Sequence, residues 1–209
     1  MEGHGPVTLR ASGGAGGAPG SGSEARERIL STAYDLFSRH GVQSVGVDRI
    51  IAEAGVAKKT LYRHFRSKDD LVLAVLERRD ELWTRGWLER EIEGRAATPK
   101  ARLLAIFDAF DDWFRRDDYE GCLFINTLLE THNPTSPIGA ASTEGLANVR
   151  SVVRRLAEEA GVRDPARLAR DWQLLMCGAI VAARAGDPDA ARSARDLAEV
   201  LLDSANREA

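Results

Sequence analysis

The apolar positions of this chain repeat with the period of an α-helix along almost its whole length. The first stretch places one apolar stripe on a helix that ends near Gly41. Its apolar residues, at positions i, i+4, i+7 and i+8, are Ile29, Ala33, Leu36 and Phe37. No stretch shows the strict alternation of apolar and polar positions that is typical of a strand. The pattern therefore predicts an all-α protein of about nine helices.

Two shorter apolar stripes follow the first helix. The earlier stripe covers residues 47–54, and the later one carries Leu61 and Phe65. Gly55 lies in the tight turn between them and supplies the left-handed backbone conformation that such a turn needs. This spacing is typical of a helix-turn-helix, whose second helix lies in the major groove of DNA.

The outward face of that second helix carries the side chains that we expect to contact DNA. Cations there can pair with phosphates, and hydroxyl and aromatic groups can meet sugars or base edges. The outward positions are Lys58, Lys59, Thr60, Tyr62, Arg63 and His64. Because the helix is too short to be stable alone, its neighbours must hold this basic face in place.

The distribution of charge indicates an anionic partner at one end of the chain. The formal net charge is −3, yet residues 24–66 hold eight basic and five acidic residues. Residues 67–209 hold 20 basic and 26 acidic residues, so a small basic unit precedes a larger acidic one. Residues 1–23 are rich in Gly, Ala and Ser, which predicts a flexible tail.

The segment from Arg26 to Glu77 resembles the N-terminal domain of TetR-family transcriptional regulators. The matching motifs, in order, are Ala33-x-x-Leu36-Phe37, Gly41, Ile50-Ile51-Ala52, Ala54-Gly55-Val56, Thr60-Leu61-Tyr62-x-His64-Phe65 and Ser67-Lys68. The resemblance covers about 50 of the 209 residues. It implies a homodimeric regulator, usually a repressor, that binds an operator in double-stranded DNA and is released by a small-molecule effector.

The resemblance also assigns roles to single positions. It implies a recognition helix at about 57–63 and a phosphate contact for Lys68, at the start of the fourth helix. Within the recognition helix, the DNA-contacting positions that it implies are Lys58, Thr60, Tyr62 and His64. Two positions depart from the family pattern. Gly46 stands where members commonly carry Ser or Thr, which implies that a phosphate-contacting hydroxyl is missing there. Ala57 stands where they often carry Ser, so the recognition helix lacks a side-chain N-cap, and we expect slightly weaker or altered backbone contacts.

A helix-turn-helix domain at residues 24–70 is predicted to precede a ligand-binding and dimerisation domain at 71–209. Thr98-Pro99, Asp164-Pro165 and Asp187-Pro188 each pair an N-cap with a proline at N1, and each predicts a helix start. The second domain combines many aromatic residues with few polar ones, as in a mostly apolar effector pocket, although core packing explains any single residue as well. The candidate ligand-binding residues are Trp87, Phe107, Phe110, Trp113, Phe114, Cys122, Asn126, Glu130, Trp172 and Met176.

The last two predicted helices indicate a dimer interface. Their apolar positions recur at helical spacing from Leu168 to Ala183 and from Leu197 to Leu202, and Gly178 permits close approach of another helix. The family resemblance implies a four-helix interface built from these helices. A single helix-turn-helix also needs a partner to reach two half-sites on DNA.

Two other classes of function remain open. An enzyme would use Cys122, Cys177 or His132 as nucleophile or base, but their spacing matches no catalytic signature. A protein-interaction module would keep the fold without binding DNA, and its binding would be insensitive to salt. We expect no catalytic residue, no cofactor and no metal.

Composition suggests where the protein works. Two cysteines are too few for a disulfide framework. No apolar run approaches the roughly 20 residues that cross a bilayer, and the N-terminus lacks the apolar region of a signal peptide. We therefore expect a cytoplasmic protein. Nothing in the sequence identifies the operator, the effector or the regulated genes.

Overall fold

The computed structural model describes residues 21–207 as an all-helical chain. Within those residues the protein forms nine helices and no strand, which confirms the predicted fold class. The helices are α1 (Ser21–His40), α2 (Val47–Ala54), α3 (Lys58–His64), α4 (residues 68–95), α5 (Pro99–Phe114), α6 (Leu123–Thr131), α7 (Pro137–Glu159), α8 (Pro165–Arg184) and α9 (Ala190–Arg207). Helix α1 begins three residues before its predicted start, and residues 1–20 of the predicted tail lie outside the described residues.

The helices are divided between two compact units. The N-terminal unit comprises residues 21–79 and 122–145, and the C-terminal unit comprises residues 80–121 and 146–207. The helices of the predicted helix-turn-helix therefore share one unit with α6 and the first part of α7. None of the helices in the described part of the chain is long and apolar enough to cross a membrane.

Helix α1 supplies the centre of the N-terminal unit. Its residues Ile29, Ala33 and Phe37 are completely buried, as their helical spacing predicts. Ile50 of α2 and Leu61 of α3 are buried to the same extent. Because burial of each large apolar side chain contributes about 1.5–3 kcal/mol, this shared core stabilises two helices of only eight and seven residues.

Local capping fixes where the short helices end and where α4 begins. Gly55 has a φ of 63°, and its backbone N–H closes the last turn of α2 on the carbonyl of Ala52. At the start of α4, the Ser67 hydroxyl accepts a hydrogen bond from the Asp70 amide at 3.0 Å. The Asp70 carboxylate in turn accepts one from the Arg66 amide at 3.1 Å. This reciprocal arrangement resembles a capping box.

Polar contacts join α1 to the first part of α4. The Arg78 guanidinium donates two hydrogen bonds to the Glu27 carboxylate, both at 2.8 Å. That interaction holds the pKa of Glu27 below its usual value. The next residue, Arg79, is buried and donates a hydrogen bond to the Tyr34 hydroxyl at 2.8 Å. These contacts fix the direction in which α4 leaves the helix-turn-helix.

The C-terminal unit is built around buried aromatic side chains. Helix α4 contains three consecutive segments, of which Lys68–Arg79 and Glu89–Arg95 are α-helical and Asp80–Leu88 has the wider π-helical turn. Trp83 in the π segment packs against Trp113 of α5 with ring centroids 5.4 Å apart. Trp172 of α8 is completely buried.

The proline-marked helix starts are correct in two of three places. Thr98 and Asp164 each accept a hydrogen bond from a backbone amide three residues on, with proline at N1, at the starts of α5 and α8. The third prediction, at Asp187-Pro188, is wrong because α9 begins at Ala190. The Asp187 carboxylate instead accepts a hydrogen bond from the Asp189 amide at 2.9 Å. This local turn uses the side chain that was expected to cap the helix.

Helices α6 and α7 approach closely where Gly145 of α7 lies against Phe124 of α6. A Cβ placed on Gly145 would overlap the Phe124 ring, which is itself 1% exposed. We predict that Gly145→Ala lowers the free energy of unfolding by about 1–3 kcal/mol because the core must shift to admit the methyl group. Urea denaturation followed by circular dichroism measures this change.

The matched control is Gly94→Ala in the last segment of α4, where nothing lies within 4 Å of an added Cβ. There we expect a gain of about 0.5–1 kcal/mol from helix propensity. Equal effects of the two substitutions would contradict the close approach of α6 and α7.

Candidate nucleic-acid interface

Helix α3 presents a basic face to solvent on a rigid support. Lys58, Lys59 and Arg63 are exposed, and Tyr62 is 42% exposed although it is a large aromatic residue. Leu61 on the opposite side of the helix is completely buried. The arrangement agrees with the predicted division of this helix into an inward and an outward face.

Two of the predicted DNA-binding residues lie at the edges of this face rather than on it. Thr60 and His64 are half-buried. The Nε2 atom of His64 is buried and has no hydrogen-bond partner among the described residues. The prediction treated both residues as outward-facing, because sequence spacing does not show how far α1 covers the end of α3.

One ion pair joins α3 to α2, and further polar contacts lie along α2. Lys58 Nζ lies 3.4 Å from Oδ1 of Asp48, and both side chains are mostly exposed. On α2, Nε of Arg49 lies 2.8 Å from Oε1 of Glu53 in an ion pair. The Arg49 guanidinium also lies 3.0 Å from Nε2 of His40. Asp48 and Arg49 of α2 are not among the predicted DNA-binding residues, which lie on α3 and at the start of α4.

The starts of the two short helices lack side-chain caps. Gly46 and Ala57 occupy the N-cap positions of α2 and α3, and neither caps the helix with a side-chain hydrogen bond. The first-turn amides of both helices therefore receive no hydrogen bond from a capping side chain. Lys68, the first residue of α4, is half-buried.

Phe65, directly after α3, makes a contact that the sequence analysis missed. The Arg26 guanidinium of α1 lies over the Phe65 ring, 5.2 Å from its centroid. The contact ties α1 to the end of α3. An Arg near the start of one helix and an aromatic residue 39 positions later carry no detectable signal in sequence.

Glu130, predicted to bind an effector, contacts the turn between α1 and α2. Its carboxylate accepts a hydrogen bond from the Gln43 backbone N–H at 2.7 Å. It also packs so closely on Gly41 that a Cβ there would overlap the carboxylate, and Gly41 has a φ of 81°. Glu130 therefore joins α6 to the helix-turn-helix within the N-terminal unit.

The ten candidate ligand-binding residues belong to both units. Cys122, Asn126 and Glu130 lie in the N-terminal unit. The seven in the C-terminal unit are Trp87, Phe107, Phe110, Trp113, Phe114, Trp172 and Met176. Of these seven, all but Phe114 are buried, and their rings pack on one another, with 5.5 Å between the centroids of Phe107 and Trp172. Their binding role stays a prediction.

A separate groove of about 440 Å³ lies in the C-terminal unit, beside the α7–α8 turn and the end of α9. Its lining includes Arg163, Arg167 and Asp171, and none of the candidate ligand-binding residues. The groove is thus charged, unlike the apolar pocket that the sequence predicts.

The cysteine chemistry that an enzyme would need is unfavourable. Burial raises the pKa of the Cys122 thiol above its usual value, which keeps it in the unreactive protonated form. Cys122 and His132 belong to the N-terminal unit, whereas Cys177 belongs to the C-terminal unit.

Helices α8 and α9 expose large apolar side chains. Leu174 and Val181 of α8 are 72% and 57% exposed, and Leu197 and Val200 of α9 are 56% and 67% exposed. Leu174, Gly178 and Val181 follow one another at helical spacing along α8. We call these exposed apolar residues of α8 and α9 the terminal apolar face.

Comparison with known proteins agrees with this architecture. Residues 29–75 match the family described as bacterial regulatory proteins, tetR family, and residues 99–198 match the tetracyclin repressor-like C-terminal domain. A TetR-family transcriptional regulator of Streptomyces coelicolor superposes with a TM-score of 0.78 at 32% identity, over 88% of this chain and 97% of that one. A putative TetR regulator of Streptomyces avermitilis gives 0.77 at 28% identity, over 87% and 98%.

Relatives known by sequence match over shorter stretches. The HTH-type transcriptional activator FasR of Mycolicibacterium smegmatis is 36% identical over 45% of this chain and 42% of its own length. An HTH-type transcriptional regulator of Staphylococcus aureus is 44% identical over 26% of this chain and 30% of its own. The chain thus matches less than half the length of these relatives.

The chain belongs to the TetR family. It is a DNA-binding transcriptional regulator of helix-turn-helix type, in a family whose members are not enzymes. The fold and the class predicted from the sequence are therefore confirmed.

The contact between Glu130 and the α1–α2 turn generates a direct test. We predict that Glu130→Ala lowers the free energy of unfolding of the N-terminal unit by about 1 kcal/mol, since an exposed hydrogen bond is lost. The backbone amide of Gln43 should exchange with solvent about five- to tenfold faster in that variant. Hydrogen exchange followed by NMR measures the rate at that amide.

Two further variants control this experiment. Glu130→Gln keeps an oxygen that can accept from the Gln43 amide, so its effect should be smaller. Glu77→Ala removes an exposed acid elsewhere in the same unit and should leave Gln43 unchanged. An unaltered exchange rate in Glu130→Ala would refute the contact.

Proposed function

We propose that the protein represses transcription as a homodimer, that it does so in the cytoplasm, and that a small-molecule effector releases it from its operator. The exposed basic face of α3 carries the proposal. Lys58, Lys59, Tyr62 and Arg63 project from a helix whose other side is fixed by the buried Leu61. A rigid helix of this kind can enter the major groove without an entropic cost of ordering.

The position of α6 supports control by an effector. Through Glu130, α6 is bonded to the turn that precedes α2, and Thr127 of the same helix is completely buried. A ligand that binds more tightly to one position of α6 would therefore favour one position of the helix-turn-helix. An effector can act only through such a difference in affinity between two states.

Buried polar atoms in the C-terminal unit support an effector that carries hydrogen-bonding groups. The indole N–H groups of Trp87 and Trp172 and the Thr84 hydroxyl are buried without a hydrogen-bond partner. Unsatisfied buried donors are uncommon in folded proteins and cost about 1–3 kcal/mol each. An aromatic or alicyclic molecule with oxygen acceptors matches these donors and the apolar rings around them.

The terminal apolar face supports dimerisation through α8 and α9. Its four large side chains are each more than half exposed, and water contact with such a cluster is unfavourable. A second copy that presents the same face would cover it with twofold symmetry. Two recognition helices would then be available for two half-sites about one DNA turn apart.

The central experiment is fluorescence anisotropy of the full chain with a DNA fragment from upstream of its own gene, titrated at several salt concentrations. We expect specific binding that weakens steeply with salt, because phosphate contacts release counterions. Lys58→Ala should reduce the slope of log K against log salt by about 1.8, because the dimer loses one phosphate contact from each protomer. Tyr62→Ala should weaken specific binding by about 1–3 kcal/mol while it leaves that slope unchanged.

Failure to bind both this fragment and a library of genomic fragments would contradict DNA recognition. Salt-insensitive binding to a protein would favour an interaction module instead. The direction of regulation is tested separately with a reporter gene placed behind the bound fragment. The relative FasR is named an activator. A rise in reporter expression when the protein is present would show activation and would contradict the proposed repression.

A charged substitution tests the dimer interface. We predict that Leu174→Glu raises the dimer dissociation constant on the order of a hundredfold, since it buries a carboxylate from each protomer in an apolar contact. Sedimentation equilibrium measures the constant. Leu129→Glu on α6 is the matched control, because Leu129 is 66% exposed and Leu174 is 72% exposed. A dimer that is unaffected by Leu174→Glu, or equally weakened by Leu129→Glu, would contradict the assignment to α8 and α9.

A further inference from the structure

Asp48 places a carboxylate beside the basic face of α3. Its side chain is 87% exposed, and Oδ1 lies 3.4 Å from Nζ of Lys58. Lys58 is the first residue of α3, and Asp48 lies in the first turn of α2. A negative charge therefore stands next to the helix that the proposed function places in the major groove.

Folding stability does not explain this placement. An exposed ion pair with such a long separation adds little to stability, because water and salt screen it. Asp48 interacts favourably with the dipole of α2 because it is an acid in the first turn. An acid on any side of that turn would interact in the same way, so the dipole does not explain why the carboxylate lies beside Lys58. The pairing with Lys58 is thus a feature of the surface rather than of the core.

On DNA the same carboxylate discriminates between sequences. Phosphates repel it, and guanine and thymine present only acceptor atoms and a methyl group in the major groove, so only the amino groups of cytosine and adenine can donate a hydrogen bond to it there. The N4 amino group of cytosine is the donor to which Asp and Glu characteristically bind. A carboxylate at the interface is therefore costly on most sequences and favourable on a few.

We propose that Asp48 is a specificity-determining residue that accepts a hydrogen bond from the N4 amino group of one cytosine in each half-site. This inference rests on the proposed binding of DNA through α3. In the free protein Lys58 lies beside the carboxylate. On the operator the cytosine amino group takes the place of the lysine, and Lys58 turns to a phosphate or a neighbouring guanine.

The test is selection of binding sites from a random duplex library by the full-length wild type and by Asp48→Asn. We expect the wild-type sites to share a cytosine at one position of each half-site. Asp48→Asn should lose the preference at that position and keep it elsewhere. The ratio of its affinity for the selected site to that for a scrambled duplex should fall about tenfold.

The matched control is Glu53→Gln, which removes the same charge from the same helix. Glu53 is exposed and paired with Arg49, which contacts His40 at the end of α1 rather than α3. We expect this variant to keep the wild-type base preferences and affinity ratio. An equal fall of the affinity ratio in both variants would show that net charge alone sets the preference for the selected site. That result would overturn the inference.

The remaining outcomes separate this inference from the proposed function. A common wild-type site at which Asp48→Asn keeps every base preference overturns the role of Asp48 and leaves DNA recognition intact. A wild type that enriches no common site overturns the proposed recognition of DNA, and the role of Asp48 fails with it.

Discussion

The burial of one face of α1 is the interaction on which the DNA-binding surface depends. Helices α2 and α3 have eight and seven residues, and helices of that length do not persist in water. The apolar stripe through Ile29, Ala33 and Phe37 supplies the core against which they pack. Because that core is close-packed, the outward side chains of α3 are presented in one orientation. The orientation of the DNA-contacting side chains thus follows from the packing of the buried side of α3.

The charged side chains on the surface of the helix-turn-helix contribute to function rather than to stability. The helix-turn-helix carries exposed cations on α3, and one of them, Lys58, pairs with Asp48 on α2, whereas Glu53 of α2 pairs with Arg49 of the same helix. Pairs of this kind contribute little stability, but they determine which groups are available when a polyanion approaches. The net positive charge of the N-terminal segment is therefore a poor measure of its affinity for DNA, whereas the placement of single acids is informative.

The features that the sequence predicts are those that depend on helical periodicity and on local capping. The helices, the Gly55 turn and the Ser67 cap all follow from neighbours within a few positions. Contacts between distant segments were not predictable in this way, and Glu130 is the clearest case. Its predicted role as a ligand anchor stays a prediction, and its hydrogen bond from the backbone N–H of Gln43, 87 residues away, has no signal in the sequence. The Asp187-Pro188 start was wrong because an Asx turn and a helix cap use the same side chain.

The N-terminal unit is assembled from two stretches of chain that are separated by roughly 40 residues of the C-terminal unit. During synthesis the helix-turn-helix leaves the ribosome first, and at about 5–20 residues per second α6 follows several seconds later. Over that interval the DNA-reading helices can fold on the α1 core while the Gln43 amide still lacks Glu130. A newly made chain can thus assemble the core that positions α3 before α6 is available to hold the α1–α2 turn, so the DNA-contacting surface forms before its contact with α6.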